Sequence, residues 1–386
     1  MSDKHAKIAL RPLLTDGDGK RETSKSLNQD KDLSGKFCSK PFEFFEAQDL
    51  GEGKAFVCCP TWLNVSVGKL TEQSVSEAFN SEINQEIRKS IFDGSFKYCN
   101  HKLCPVIQSD SLQNTEDITD PRLKRIIDDR QIDNLTPFTY NLCYDPSCNL
   151  SCPSCRINKV YLTEGPIYER KILIQEKIIN EVFGKPHNRQ CYMNVTGSGD
   201  PFGSKIFRDL LFGIDGSKYP NVKINLQTNG VMFTPKYWKN MKKIHNNIGN
   251  VLISLDAATE EVYDIVRRGG NWKMLMQNLK HVSKLRQQKL IDFFRIDFVV
   301  QKTNYKDMPD FVRIGKKIKA DQAYFSLVSD WGTWEIEEYN KHAIWKNDHE
   351  QFDDFMEVMK NPILDDPIVN LGNVTEYRNN AKRNGN

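Results

Sequence analysis

From Pro137 onward the chain alternates short β-type runs with segments of helical period, and that alternation limits what it can fold into more than any single motif does. The runs lie at 138–144, 191–196, 222–228, 250–255, 293–301 and 322–328. Between them, stretches such as IYERKILIQEKIINEVF (167–183) and WKMLMQNLKHVSKLR (272–286) put apolar residues on one helical face. Repetition of this kind builds a parallel sheet covered by helices. Six units predict an α/β fold over 137–335, a partial (β/α)6 TIM-like barrel rather than a closed eightfold one, and no solenoid-period repeat competes with it.

In such architectures chemistry gathers on the loops after the strands. The unusual residues fall there: CNLSCPSC after the first run, TGSGDP after the second, QTNG after the third, LDAAT after the fourth, QKTN after the fifth and SDWGTW after the sixth.

Composition excludes more than it names. Among 386 residues, 54 Lys and Arg face 51 Asp and Glu, a formal charge of +3, so there is no electrostatic footprint for nucleic acid or an anionic membrane. No run approaches the roughly 18–20 apolar residues of a membrane span. The start, MSDKHAKIALRPLL, lacks a signal-peptide core, so a cytoplasmic address is expected. The ten cysteines are grouped: Cys38, Cys58, Cys59, Cys99 and Cys104, then Cys143, Cys148, Cys152 and Cys155, with Cys191 alone. In that compartment, close-spaced thiols read as metal ligands rather than disulfides.

Residues 1–36 contain no Phe, Trp or Tyr and are expected to form a flexible polar tail. Residues 37–105 form a compact cysteine-rich α+β module with a helix near 76–91. Residues 106–136 read as a linker, and 336–386 as a C-terminal cap and loose tail.

The most specific motif is the CxxxCxxC of Cys148, Cys152 and Cys155. Three thiolates on one loop can ligate one metal centre and leave a coordination position open for chemistry. A zinc knuckle is the competing reading, but it calls for a fourth Cys or His that the loop lacks. Cys143 sits within a strand and reads as a packing thiol, as does Cys191.

CNLSCPSC opening a βα barrel, with GSGDP one unit later, resembles the radical SAM enzymes. In that family the three cysteines hold a [4Fe–4S] cluster whose fourth iron binds the amino and carboxylate groups of S-adenosylmethionine (SAM). Reductive cleavage then gives a 5′-deoxyadenosyl radical that takes a hydrogen atom from the substrate. The resemblance implies that Gly197, Ser198, Gly199, Asp200 and Pro201 match the family's GGEP element, which meets the methionine amino group; Asp for Glu and Ser for Gly are departures. A tight strand-to-helix turn is the plainer account of the same residues. Ser254 and Asp256 stand where relatives contact the SAM ribose, although Thr259 and its neighbours also suit a helix N-cap. Of Arg267 and Arg268 one resembles the arginine near the SAM carboxylate, and Arg268 is selected. Gln227, Thr228 and Asn229 match the family's TNG strand end, with Gly230 turning the chain.

The segment FCSKPFEFF, VCCPTW and YCNHKLCP resembles the SPASM or twitch modules that bind an auxiliary Fe–S cluster, though there the module usually follows the barrel. Cys38, Cys99, Cys104 and one of Cys58 and Cys59 would supply four ligands to an auxiliary [4Fe–4S] or [2Fe–2S] cluster. Adjacent strand residues point to opposite faces, and Cys58 is selected. A structural zinc site fits four cysteines as well. His101 reads as a solvated loop residue, and Trp331 and Trp334 as aromatics at the barrel mouth or in a domain interface.

The expected function is hydrogen abstraction from a peptide or carbohydrate-type substrate, with an electron donor such as flavodoxin or ferredoxin. The alternatives are a non-catalytic zinc module and a SAM-independent Fe–S electron carrier.

Overall fold

The computed structural model describes residues 31–195 and 197–383. Of the expected polar tail, residues 1–30 lie outside the described residues. Ten strands make one sheet: β1 (Phe44–Gln48), β2 (Lys54–Phe56), β3 (Gly68–Lys69), β4 (Thr139–Cys143), β5 (Cys191–Val195), β6 (Val222–Thr228), β7 (Ile248–Ser254), β8 (Phe293–Val300), β9 (Gln322–Leu327) and β10 (Val369–Asn370). Strands β4 to β9 are the six predicted runs, paired in parallel and in sequence order. The sheet is open, running β10-β9-β8-β7-β6-β5-β4-β1-β2-β3. That is the α/β core of six βα units that the periodicity predicts.

Helices α1 (Glu82–Phe92), α2 (Pro166–Phe183), α3 (Lys205–Gly213), α4 (Pro235–Asn240), α5 (Glu260–Val266), α6 (Trp272–Gln287) and α7 (Met308–Lys317) supply the crossovers and one helix before the core. Several start on a side-chain cap: Ser204 accepts from Phe207 N–H, Thr234 from Tyr237, Thr259 from Val262 and Asn271 from Met274. The helix expected over 76–91 is two helices, because Ser81 caps a new start after Phe79.

Alternation decides the two faces of the sheet. Leu142, Met193, Leu226, Ile253 and Phe298 are fully or almost fully buried, and Phe298 meets Phe311 of α7 with ring centroids 4.9 Å apart. The opposite face is polar and only partly covered: Asn141, Asn194, Asn225, Ser254 and Arg295 all lie there. Its groups bond to one another, Asn225 to Asn194 across neighbouring strands at 2.9 Å and Arg295 to Asp297 along β8 at 2.6 Å.

The cysteine-rich segment joins this sheet. β1 pairs in parallel with β4, aligning Phe44 with Thr139 and Gln48 with Cys143, and β2 and β3 extend it as an antiparallel meander. Beyond β1, the buried Asp49 carboxylate meets Arg170 and Lys171 of α2, each at 2.7 Å, tying the segment to the core.

Two of the expected irregular stretches carry structure. Residues 106–136 contain the helix Pro121–Asp128 and bury Ile107, Leu112, Ile118 and Ile126. The C-terminal stretch is no loose tail over its described residues, because Phe355, Met359, Val374 and Ala381 bury themselves at regular helical spacing while β10 adds to the sheet. Among the described residues no helix is long and apolar enough to cross a membrane.

At the mouth, Gly197 has φ +101°, and a Cβ there would stand 2.1 Å from Cys143 Sγ. Both the backbone and the neighbour exclude a side chain. Gly197→Ala should cost at least about 2 kcal/mol, read as a fall in the thermal unfolding midpoint; an unchanged midpoint would refute the close packing of this loop on β4.

Candidate functional site

The loop after β4 presents Cys148, Cys152 and Cys155, the first two buried and the third exposed. Its course is fixed by backbone bonds, Cys148 N–H to Val160 O at 2.9 Å and Cys155 N–H to Cys152 O at 3.0 Å. Each sulfur has a nitrogen donor beside it. Leu150 N–H lies 3.4 Å and Asn229 Nδ2 3.7 Å from Cys148 Sγ. Arg267 Nη1 lies 3.8 Å from Cys152 Sγ, and Arg156 Nη2 lies 3.3 Å from Cys155 Sγ. Burial pushes the Cys148 thiol up to about 12, so without a cation it stays protonated.

The second loop packs under the first. A Cβ on Gly199 would fall 2.4 Å from Ser147 O, and one on Gly203 2.7 Å from Asn149 N, so the two backbones touch. Ser198 donates to Asp145 O at 2.8 Å. Asp200 is 2% exposed, and its carboxylate is fully engaged. Oδ1 accepts from Phe202 N–H and Gly203 N–H, both at 2.9 Å, and Oδ2 from Thr228 Oγ1 and Asn229 N–H, both at 2.8 Å. With about four acceptor positions on a carboxylate, these four donors occupy the side chain that the resemblance, together with the loop backbone, gave to the methionine amino group. Asp200 clamps the GSGDP loop to the TNG strand end instead.

The arginines divide. Arg268, the residue selected from the sequence, is exposed and holds the cysteine loop from outside through Ser151 O and Ile157 O, both at 3.0 Å. Arg267 is the one turned inward, paired with Asp256 at 2.7 Å. Asp256 has φ +59°, rare for a residue with a side chain, and its Oδ1 accepts from Val299 N–H at 2.8 Å. Burial pushes its carboxyl up while Arg267 pulls it back. Beside them Arg267 Nε and Tyr263 Oη are buried with no partner among the described residues. Sequence reasoning passed over Arg156 and Tyr263; position directly after Cys155 was the available signal for the first.

Cys38, Cys58, Cys99 and Cys104 line one small cavity, walled by Trp62, Leu63, Ile91 and Phe96. Burial and mutual repulsion raise the Cys58 and Cys99 thiols, and burial takes Cys38 up to about 11. Cys59 does not line this cavity, and its thiol is raised by burial and, to a lesser degree, by the Glu46 carboxylate. His101 is buried rather than solvated, with its ring against Phe96 O at 3.4 Å, and it does not line the cavity. Among the described residues no three His, Cys, Asp or Glu groups converge closely enough to hold a single metal ion. Cys191 is fully buried, as a packing thiol should be, and Trp334 stacks on His342 with ring centroids 4.2 Å apart.

The family model for the Radical SAM superfamily matches residues 145–313. The mycofactocin maturase MftC of Mycobacterium tuberculosis is 27% identical over 194 residues, which are 50% of this chain and 44% of that protein. The Mycolicibacterium smegmatis maturase of the same name matches at the same identity and coverage. The chain thus spans less than half the length of these curated relatives. Among solved structures, Streptococcus suis SuiB bound to S-adenosylmethionine covers 77% of this chain and 64% of its own, at 14% identity and a TM-score of 0.41. Native anSMEcpe with bound AdoMet covers 65% and 62%, at 17% identity and a TM-score of 0.42.

Proposed function

We propose that the chain is a radical SAM enzyme holding a [4Fe–4S] cluster on Cys148, Cys152 and Cys155, a reading supported by the match of residues 145–313 to the Radical SAM superfamily model. One observation carries the reading: three thiols share a strand-end loop, and each has a nitrogen donor within reach of its sulfur. The donor set suits an anionic cluster with an open position, since cations and N–H groups beside thiolates offset their charge. Arg267 Nε and Tyr263 Oη, buried and without a partner among the described residues, add polar groups in want of a ligand.

When bound, the cluster supplies one electron that cleaves SAM to methionine and a 5′-deoxyadenosyl radical, which takes a hydrogen atom from the substrate. The chain's own residues bind and orient. Gly197 and Gly199 let their loop pack directly on β4 and on the cysteine loop, and Ser254 offers a hydroxyl at the end of β7. Asp200 and Asp256 act from behind, by holding the loops. The polar sheet face receives the substrate, which favours a hydrogen-bonding molecule over a lipid. Peptide is the preferred class over carbohydrate because the curated relatives are named maturases. A flavodoxin- or ferredoxin-type protein supplies the electron.

The second part of the proposal is an auxiliary Fe–S cluster on Cys38, Cys58, Cys99 and Cys104, supported by their shared cavity. Cys58→Ser should remove roughly half the bound iron, whereas Cys59→Ser should keep it all. Equal iron in both variants would sink the assignment.

The deciding experiment is 5′-deoxyadenosine formation from SAM by the anaerobically reconstituted, dithionite-reduced chain. Product is expected. A colourless protein that carries zinc and no iron would overturn the reading in favour of a binding module.

A further inference from the structure

We infer that Arg156 and Arg267 set the reduction potential of the centre held by Cys148, Cys152 and Cys155, with Arg156 as the dominant cation and Asp256 as the group that moderates Arg267. The inference rests on the radical SAM reading. Its physical ground is that a cluster's potential follows its net charge and the hydrogen bonds to its sulfurs. Positive charge beside the thiolates stabilises the reduced form, which carries one more electron.

The two guanidinium groups are held differently. Arg267 reaches Cys152 Sγ at 3.8 Å, but its Nη2 is paired with the Asp256 carboxylate at 2.7 Å. Asp256 is itself fixed: Val299 N–H donates to its Oδ1 and Asn304 Nδ2 to its backbone oxygen, both at 2.8 Å. A buried carboxylate so close cancels most of the charge that Arg267 brings. What Cys152 receives from Arg267 is mainly an oriented N–H group.

Arg156 is half-buried and has no carboxylate partner among the described residues. Two backbone carbonyls hold it, Pro146 O and Ser198 O, the second at 2.8 Å. They orient the guanidinium without neutralising it, and its Nη2 stands 3.3 Å from Cys155 Sγ. Arg156 therefore delivers an uncompensated charge, and it also bridges the cysteine loop to the GSGDP loop. Arg156 and Asp256 should then move the potential in opposite directions when neutralised, which loss of packing alone does not do.

The test is a potentiometric titration, followed by EPR, of the reconstituted full chain and its R156Q, R156K and D256N variants. The signal followed is the one that changes when SAM is added, which separates it from any auxiliary cluster. At a fixed potential, R156Q should lower the reduced-to-oxidised ratio about tenfold, equivalent to about 59 mV for one electron. R156K should recover at least half of that shift, because it keeps the charge and loses the fork geometry. D256N should raise the ratio about tenfold. Unchanged ratios, or shifts of the same sign, would overturn the inference while leaving the enzyme reading intact. If R156Q takes up no iron, R156K and D256N decide: a ratio lowered by R156K and raised by D256N upholds the inference, and no change in either overturns it. A wild-type chain without iron, or with a signal indifferent to SAM, overturns the radical SAM reading and this inference with it.

Discussion

Exchanging Cys148, Cys152 and Cys155 together for alanine is expected to abolish 5′-deoxyadenosine formation, a loss of at least about 10³-fold, while the sheet and its helices remain. The reason lies in how little else these thiols do. Their loop is shaped by backbone bonds such as Cys148 N–H to Val160 O and Cys155 N–H to Cys152 O, which alanine keeps. Cys148 and Cys152 form a small apolar cluster with Leu150, apart from the main core, and Cys155 is exposed. Trimming three sulfurs should therefore cost only about 1 kcal/mol each at the two buried sites. Circular dichroism of the variant should match the wild type. Product formation by a variant with a wild-type spectrum would remove the cluster assignment altogether.

Asp200→Ala should be the most damaging single change for stability, at about 4 kcal/mol. The substitution leaves three backbone N–H groups and the Thr228 hydroxyl without their acceptor in a region closed to water. Hydrogen bonds to a charged group contribute about 1.5–3 kcal/mol each, but the neighbours can relax, so the sum is not realised. Asp200→Asn should do roughly half the harm, since one oxygen survives while an NH₂ group now faces N–H donors. Denaturant unfolding of the iron-free chain reads this without interference from any cofactor. A loss below 1 kcal/mol in the alanine variant would mean that the GSGDP and TNG loops are not held through this carboxylate.

The core strands were legible because short β-type runs and helical periodicity leave their mark in neighbouring residues. Pairing between distant segments leaves none, which is why β1 read as part of a separate module although it lies beside β4. The same limit applies at the site. Cys148, Cys152 and Cys155 announce themselves by spacing, but Arg267 and Arg268 are adjacent and chemically identical. Only the exit of the chain from α5 decides which turns inward. Asp200 was visible as a site residue, yet its role depends on Thr228 and Asn229, 28 and 29 residues away. His101 was misjudged because a polar loop residue is usually wet, and here the loop folds back over Phe96.

The seating of β1 against β4 also sets an order of events during synthesis. The Glu46 side chain accepts from Asn141, 95 residues later in the chain. The thiol-bearing segment therefore leaves the ribosome well before its neighbouring strand exists, with one edge of Phe44–Gln48 unpaired. Closing so long a loop is slow relative to local pairing. Until then that edge is open to the wrong strand, of the same chain or another. The segment's five thiols, Cys38, Cys58, Cys59, Cys99 and Cys104, are therefore all made before the strand that completes their scaffold.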